Sequence, residues 1–190
     1  MKSKGPMVVL VGVPGAGKTT IGTALAAELG VLFRDTDADV EASTGRLIAD
    51  IFVESGETEF RRLEVAAVAT ALAEHEGVLA LGGGAVLDPA TRDLLGGRPV
   101  VWLRVGLAAA SRRAGLSNAR PLLFGNLRAQ LKALMDARDP LYAEVAVLTI
   151  DTDDLPPDEA VAAIVHRLGL APGAPPRPSG GVVEEGEQHE

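Results

Sequence analysis

The sequence predicts an α/β fold, in which a five-stranded parallel sheet carries helices on both of its faces. Short apolar runs rich in valine and leucine alternate along the chain with segments of helical periodicity. This alternation is typical of a sheet whose strands are buried on both faces. The composition agrees, because 47% of the residues are hydrophobic but only 3% are aromatic. A core of small aliphatic side chains is therefore expected.

Local signals place the individual elements. Apolar runs predict strands at residues 7–11, 31–34, 78–81, 99–103 and 146–150. Periodic apolar positions predict helices at residues 20–29, 38–43, 47–52, 57–75, 89–95, 107–114, 127–139 and 157–168. Gly30 and Gly77 are suited to end the helices before them. Asp37 is expected to cap the second helix, and Pro140 to end the seventh. The predicted inner face of the long fourth helix consists of Phe60, Leu63, Ala67, Val68 and Ala71.

The chain divides into one domain, residues 1–170, and a tail, residues 171–190. A length of 190 residues suits a single domain with a sizeable core. The tail contains four prolines, four glycines and four glutamates, and it has no apolar period. Such a composition cannot bury enough apolar surface to order a chain, so we expect a disordered acidic tail.

Charge and composition exclude several classes of function. The net charge of −8 disfavours binding to nucleic acid or to an anionic membrane. The absence of cysteine excludes disulfides and thiolate metal sites, and the three histidines lack metal-ligand spacing. No signal peptide and no apolar run of transmembrane length is visible, and no long exposed apolar face is evident. We therefore expect a cytoplasmic protein, and a monomer.

Residues 12–19, with the sequence GVPGAGKT, match the phosphate-binding loop pattern G-x-x-x-x-G-K-[ST]. Gly15 and Gly17 lack a Cβ atom, so the backbone N–H groups can turn toward an anion. Lys18 can reach the β- and γ-phosphates, and the Thr19 hydroxyl can bind Mg²⁺. The loop lies between a predicted strand and a helix, which sets a helix N-terminus behind the phosphates. A glycine-rich turn without function would explain neither Lys18 nor Thr19.

Two further strand ends carry chemistry, and parallel strands bring their carboxyl ends to one edge of the sheet. Asp35 and Asp37 follow the second predicted strand, and one carboxylate can serve a metal while the other holds a substrate hydroxyl. The alternative is a pair of helix-capping aspartates. The third strand leads into Gly82, Gly83 and Gly84, a bare backbone against which a small polar ligand can lie. The alternative here is a flexible turn.

Several arginines are candidates for binding anions. Arg61 and Arg138 each present a planar fork that suits a carboxylate, although either can also be a surface residue, and Arg61 can simply pair with Glu64. Arg120 lies in a polar, irregular stretch, in which a mobile arginine can neutralise transition-state charge. Arg113 flanks that stretch on the nucleotide side.

Taken together, the motifs GVPGAGKTT, DTD, GRLIADIF, GETEFRRLE, LALGGGAV, ARPLL and ARDPLY resemble those of shikimate kinases. These enzymes belong to the nucleoside-monophosphate-kinase-like group of P-loop proteins, and the resemblance covers residues 7–168. It implies a three-layer P-loop kinase fold with a mobile lid at about residues 114–124. It also implies transfer of the γ-phosphate of MgATP to the 3-hydroxyl of shikimate, a step toward chorismate and the aromatic amino acids.

The resemblance assigns roles to particular residues. Lys18, Asp37 and Arg120 would be catalytic, with Arg120 in the lid, and Thr19 and Asp35 would hold Mg²⁺. The residues implied for the nucleotide are Gly15, Ala16, Gly17, Lys18, Thr19, Thr20, Arg113, Arg120 and Pro157. Those implied for shikimate are Asp37, Arg61, Gly82, Gly83, Gly84 and Arg138. The sequence departs from the family at Leu155, where relatives often carry a basic residue beside the adenine, which puts nucleotide selectivity in question.

Two alternative functions stay open from the sequence. A small-molecule kinase of the same fold, such as a gluconate kinase, would also need ATP and a carboxylate clamp. The combination of the paired aspartates with Arg61, the glycines and Arg138 favours shikimate. The second alternative is a nucleotide-dependent regulator that has lost catalysis, although every expected catalytic position is filled.

Overall fold

The computed structural model describes residues 5–113 and 121–171, and it describes residues 121–127 by their backbone alone. The predicted lid residues up to 120, among them Arg120, lie outside the described residues, as does the predicted tail from residue 172 onward. The strands are β1 (Val8–Val11), β2 (Phe33–Asp35), β3 (Val78–Ala80), β4 (Val100–Arg104) and β5 (Leu148–Asp151). The α-helices are α1 (Lys18–Leu29), α2 (Thr36–Thr44), α3 (Ile48–Glu74), α4 (Pro89–Leu95), α5 (Leu107–Arg113), α6 (Pro121–Val145) and α7 (Pro157–Leu168), with a 3-10 helix at Ala85–Leu87.

All five strands are parallel and lie in the order β2-β3-β1-β4-β5. Helix α1 packs against α7, while α3 and α6 pack near α4 and the 3-10 helix, so separate helix layers flank the sheet. The predicted α/β class is therefore confirmed. Because the chain leaves β1 between β3 and β4, the residues after β1 lie at the point where the strand order reverses, which is where open α/β sheets bind ligands.

The core is aliphatic, as the composition predicts. All four residues of β1 and all three of β3 are buried. The large aromatic residues of this cluster are Trp102 on β4 and Tyr142 on α6, whose ring centroids are 5.9 Å apart. A smaller apolar cluster of Val40, Ile51 and Phe60 joins α2 to α3.

Helix α6 differs from its prediction at both ends. It begins at Pro121 instead of residue 127, which fits the preference of proline for the first position of a helix. It also continues through Pro140, where we expected it to end. The proline removes one backbone donor, but Tyr142 is fully buried just beyond it, and this tertiary packing holds the last turns.

One more prediction about the helices was wrong, and one was confirmed. Asp37 does not cap α2, because the cap is Asp35, whose carboxylate accepts a hydrogen bond from the Asp37 amide at 3.0 Å. The predicted helices at residues 47–52 and 57–75 are both present: α3 consists of two helices that are separated at Gly56, whose φ of 82° is not helical. On its inner face Leu63 and Ala67 are only partly buried, whereas Glu64 is buried in their place.

None of the helices in residues 5–113 and 121–171 is both long enough and apolar enough to cross a membrane.

Candidate active site

The loop after β1 has the backbone of an anion site. Gly12, Gly15 and Gly17 have φ angles of 149°, 83° and 92°, which residues with a Cβ atom rarely adopt. A Cβ atom on Gly12 would lie 2.6 Å from the Leu103 carbonyl oxygen, so the loop also packs too closely on β4 for a larger residue. Gly17 caps α1, which points its first N–H groups into the cleft.

Lys18 is the cation at the centre of this cleft. Its ammonium group donates hydrogen bonds to the carbonyl oxygens of Gly12 at 2.7 Å and Val13 at 3.2 Å. Burial lowers its pKa from 10.5 to about 8, although the negative charges of Asp37 and Asp35 oppose the shift. The positive charge of Arg138 lowers the pKa further. Lys18 is thus a partly buried cation that hydrogen-bonds to the loop and is stabilised by the charges of two nearby carboxylates.

Asp35 joins the loop to β2 and α2. One of its oxygens caps α2 through the Asp37 amide, and the other accepts from the Thr19 hydroxyl at 3.4 Å. The described residues contain no cluster of three or more His, Cys, Asp or Glu side chains that could hold a metal ion. Mg²⁺ in kinases needs only one or two protein oxygens, since phosphate and water supply the rest. The adjacent oxygens of Thr19 and Asp35 therefore fit a magnesium site.

Asp37 is a carboxylate poised to accept a proton. Burial raises its pKa from 3.8 to about 6, and the negative charges of Asp35 and Glu64 add to this effect. Lys18 opposes the shift. A group with a pKa of about 6 is mostly ionised at pH 7, yet it holds a proton far more readily than an ordinary aspartate.

The glycine triplet (Gly82, Gly83 and Gly84) follows β3 and lies against side chains of the site. A Cβ atom on Gly82 would lie 2.4 Å from Asp37 Oδ1 and 2.6 Å from Glu64 Oε1. A Cβ atom on Gly84 would overlap the Arg61 guanidinium. The side chains of the site therefore lie directly on this backbone, at positions where only glycine leaves room.

Arg61 and Arg138 approach the triplet from two different helices. Arg61, on α3, donates to Glu64 at 2.6 Å and to Glu57 at 3.3 and 3.2 Å. Arg138, on α6, donates to the Gly83 carbonyl oxygen at 3.0 Å. The site thus combines two guanidinium groups with a carboxylate, which suits an anionic ligand that also carries hydroxyl groups.

Arg113 lies at the other end of the cleft, at the end of α5. It donates to the Gly15 carbonyl oxygen at 3.4 Å and to the Thr152 hydroxyl at 3.1 Å. Pro157 begins α7 and is exposed, whereas Leu155 is partly buried against the core. The cleft has a volume of about 410 Å³, and its lining residues are Pro14, Gly15, Gly17, Lys18, Thr19, Thr20, Asp35, Asp37 and Arg113.

Similarity to known proteins decides the family. The family model described as Shikimate kinase matches residues 14–169. A shikimate kinase from Saccharopolyspora erythraea is 59% identical over 86% of this chain and 94% of its own length. One from Frankia casuarinae is 58% identical over 90% of this chain and 76% of its own. The chain belongs to the shikimate kinase family. It is accordingly an ATP-dependent phosphotransferase, as the motifs predict.

Solved structures agree with this assignment. A shikimate kinase from Acinetobacter baumannii, in complex with shikimate, superimposes with a TM-score of 0.79 at 36% identity, covering 88% of this chain and 94% of that one. A gluconokinase from Sinorhizobium meliloti is similar at a TM-score of 0.53 but only 21% identity. The second likeness shows a shared kinase fold and nothing more.

Four residues of this shikimate kinase site escaped the sequence interpretation. Glu64 was considered only as the partner in a plain ion pair with Arg61, yet it is 2% exposed. Thr36, within the motif DTD, is fully buried and accepts a hydrogen bond from the Gly82 amide at 3.0 Å.

Thr152 joins Arg113 to the phosphate-binding loop, because its hydroxyl also donates to the Ala16 carbonyl oxygen at 3.2 Å. Tyr142 donates to the Gly83 carbonyl oxygen at 2.5 Å. The sequence around these four residues indicates their roles only weakly, because each role depends on contacts with residues far away in the chain.

The raised pKa of Asp37 gives a prediction for stability. A carboxyl group whose folded pKa is raised stabilises the protein fully below pH 3.8, and that contribution is lost as the pH rises through about 6. Asp37→Asn removes the ionisable group. At pH 8 the free energy of unfolding of the variant should therefore be about 1–3 kcal/mol higher than that of the parent enzyme. The difference should shrink as the pH falls to 4.

Urea unfolding between pH 4 and pH 8 measures this difference. Asp39→Asn is the matched control on the same helix, because Asp39 accepts a hydrogen bond from Arg34 at 2.8 Å and gains nothing from neutralisation. Loss of stability at pH 8 in Asp37→Asn would contradict the account of a strained, buried carboxylate.

Proposed function

We propose that this enzyme transfers the γ-phosphate of MgATP to the 3-hydroxyl of shikimate, giving 3-phosphoshikimate and ADP. The observation that carries the proposal is the convergence of Asp37, Arg61 and Arg138 on the glycine triplet, next to Lys18. Shikimate is a carboxylic acid with several hydroxyl groups, so it needs a cationic clamp and a hydrogen-bond acceptor a few ångströms apart.

The phosphates of ATP would lie on the loop at residues 12–19. Backbone N–H groups from Gly15 to Thr20 receive the β- and γ-phosphate oxygens at the N-terminus of α1. Lys18 exchanges its two loop carbonyl acceptors for phosphate oxygens, which are stronger acceptors because they are charged. Arg113 and the segment around Pro157 border the adenine, and Arg120 is proposed to reach the γ-phosphate from the lid.

Thr19 and Asp35 would hold Mg²⁺ at the head of the loop. When bound, the ion would neutralise negative charge on the phosphate groups of ATP. Asp35 accepts through one oxygen from the Asp37 amide, so its second oxygen keeps a fixed direction toward Thr19.

Shikimate would lie against the glycine triplet, with its carboxylate between Arg61 and Arg138. Asp37 accepts a hydrogen bond from the 3-hydroxyl and aligns its oxygen with the γ-phosphorus. The bond from the γ-phosphorus to the ADP oxygen breaks as the bond to the substrate oxygen forms, and the hydroxyl proton passes to Asp37. The pKa of about 6 lets one carboxylate be ionised before transfer and still accept that proton.

Release of ADP tests the substrate directly. The purified protein with MgATP should release ADP rapidly when shikimate is added and only slowly with gluconate or with no acceptor. A coupled assay that follows ADP measures all three conditions. Release of ADP that depends on gluconate would leave the kinase fold unchallenged but overturn the proposed clamp. If neither shikimate nor gluconate caused ADP release, the result would support a regulatory protein.

Neighbouring arginines on α3 test the clamp. Arg61 is one-quarter exposed and turned toward the triplet, whereas Arg62 is two-thirds exposed and paired with Glu59. Arg61→Lys keeps a positive charge beside Glu64 but loses the planar fork. We expect the KM for shikimate to rise roughly tenfold, as for the loss of a charge-assisted contact, with little change in the KM for ATP.

Arg62→Lys is the matched control, and its KM for shikimate should stay within about twofold of the parent value. Steady-state kinetics with each substrate varied in turn measure both variants. Equal effects of the two substitutions, or no effect of either, would contradict the role proposed for Arg61.

A further inference from the structure

The glycine triplet is the least constrained backbone in the site, so something must fix its orientation. Three consecutive glycines have more conformational freedom than any other tripeptide. Thr36 anchors the Gly82 amide, and the amides of Ala85 and Leu87 donate to the carbonyl oxygens of Gly82 and Gly84. These bonds hold the two ends of the triplet, and they leave the central carbonyl group of Gly83 to other partners.

Tyr142 is the buried partner of that carbonyl group. Its side chain is fully buried, and its hydroxyl donates to the Gly83 oxygen at 2.5 Å. Arg138, four residues earlier on α6, donates to the same oxygen at 3.0 Å. A carbonyl oxygen has two lone pairs, so both are occupied. Burial raises the pKa of the Tyr142 hydroxyl to about 12, so it remains a donor at any working pH.

The fixed carbonyl determines what the triplet can offer a ligand. In a trans peptide the N–H of Gly84 points opposite to the Gly83 carbonyl group. Holding that oxygen against α6 therefore turns the Gly84 N–H away from α6. In the part of the chain that the structure describes, the Gly83 and Gly84 N–H groups have no hydrogen-bond acceptor. The middle of the triplet thus presents donors and no acceptor.

Gly83 also sets the distance between the two halves of the site. A Cβ atom on Gly83 would lie 3.1 Å from the Pro14 ring and 3.4 Å from the Gly12 carbonyl oxygen, both in the phosphate-binding loop. The same glycine thus touches the phosphate side of the cleft while it accepts from Arg138 on the acid side. A movement of this one peptide would therefore change both its distance from the phosphate-binding loop and its hydrogen bond with Arg138.

We propose that Tyr142 is a positioning residue for acid recognition: it fixes the Gly83 peptide so that Arg138 and the triplet N–H groups face the carboxylate of the substrate. This inference rests on the proposed function. Arg138 must divide its donors between Gly83 and the substrate, whereas Tyr142 does not reach the cleft and can hold the peptide throughout the reaction.

Tyr142→Phe tests the proposal, because it removes the hydroxyl and keeps the ring that packs on Trp102. We expect the KM for shikimate to rise about three- to tenfold, in proportion to the loss of one hydrogen bond. The KM for ATP and kcat should change less than about twofold. Trp102→Phe is the control for packing, since it disturbs the same cluster without touching Gly83, and it should leave the KM for shikimate unchanged.

A double-mutant cycle separates positioning from general weakening. Because Tyr142 acts in part through the peptide that Arg138 also contacts, Tyr142→Phe should raise the KM for shikimate by a smaller factor in an Arg138→Ala background than in the parent enzyme. Additive effects, an unchanged KM in Tyr142→Phe, or an equal rise in Trp102→Phe would each overturn the proposal.

Amide hydrogen exchange tests the geometry without any substrate. In Tyr142→Phe the amide of Ala85, which donates to the Gly82 carbonyl oxygen at 3.0 Å, should exchange faster relative to that of Val9 in the central strand, whereas equal protection in both proteins would overturn the inference. If the parent enzyme showed no turnover with shikimate, the proposed function would fail, but this readout would still decide whether Tyr142 orders the triplet.

Discussion

The close contact between charged side chains and a bare backbone is the constraint on which the site depends. Asp37, Glu64 and Arg61 lie so close to Gly82 and Gly84 that a methyl group on either glycine would clash with them. The triplet follows β3, which pairs with both β1 and β2 in the sheet. The position of the triplet is therefore set by the most buried part of the fold, and the triplet in turn limits where the charged side chains of the site can lie. Rigid strands thus fix the triplet, while helices α3 and α6 bring the arginines to it.

The charges of the site stabilise one another because they are buried together. Burial favours the neutral forms of Lys18 and Asp37, lowering one pKa and raising the other, and each charge opposes the shift of its partner. Glu64 behaves similarly, since burial raises its pKa while Arg61 and Arg138 lower it. Removing Arg61 would leave Glu64 as an uncompensated buried charge, which is costly. This coupling explains how a protein of net charge −8 can hold an anionic acid: the cations are few, but they are concentrated at one sheet edge.

Much of this arrangement could be predicted from the sequence, because it depends on local patterns. The glycine loop, the paired aspartates and the glycine triplet each follow a strand, and parallel strands bring their ends together. Family membership followed from the order of the motifs. One error was an error of helix boundary, since α2 begins at Thr36 and its cap is therefore Asp35. Another arose where tertiary contacts override local preference: Pro140 lies within α6 because Tyr142 is anchored in the core. Glu64 and Thr36 were missed for the same reason, since burial of a polar residue depends on neighbours far away in the chain.

Substitution of one glycine tests the central claim most directly. Gly82→Ala adds a single methyl group where the nearest atoms are Asp37 Oδ1 at 2.4 Å and Glu64 Oε1 at 2.6 Å. Gly96→Ala, at the end of α4, adds the same group outside the cleft. Binding of a non-hydrolysable ATP analogue and shikimate-dependent ADP release would be measured for both variants. If the triplet positions the acid-binding groups, Gly82→Ala keeps the nucleotide affinity and loses at least about tenfold in kcat/KM for shikimate, a barrier change of about 1.4 kcal/mol. An unchanged kcat/KM for shikimate in Gly82→Ala would contradict the account.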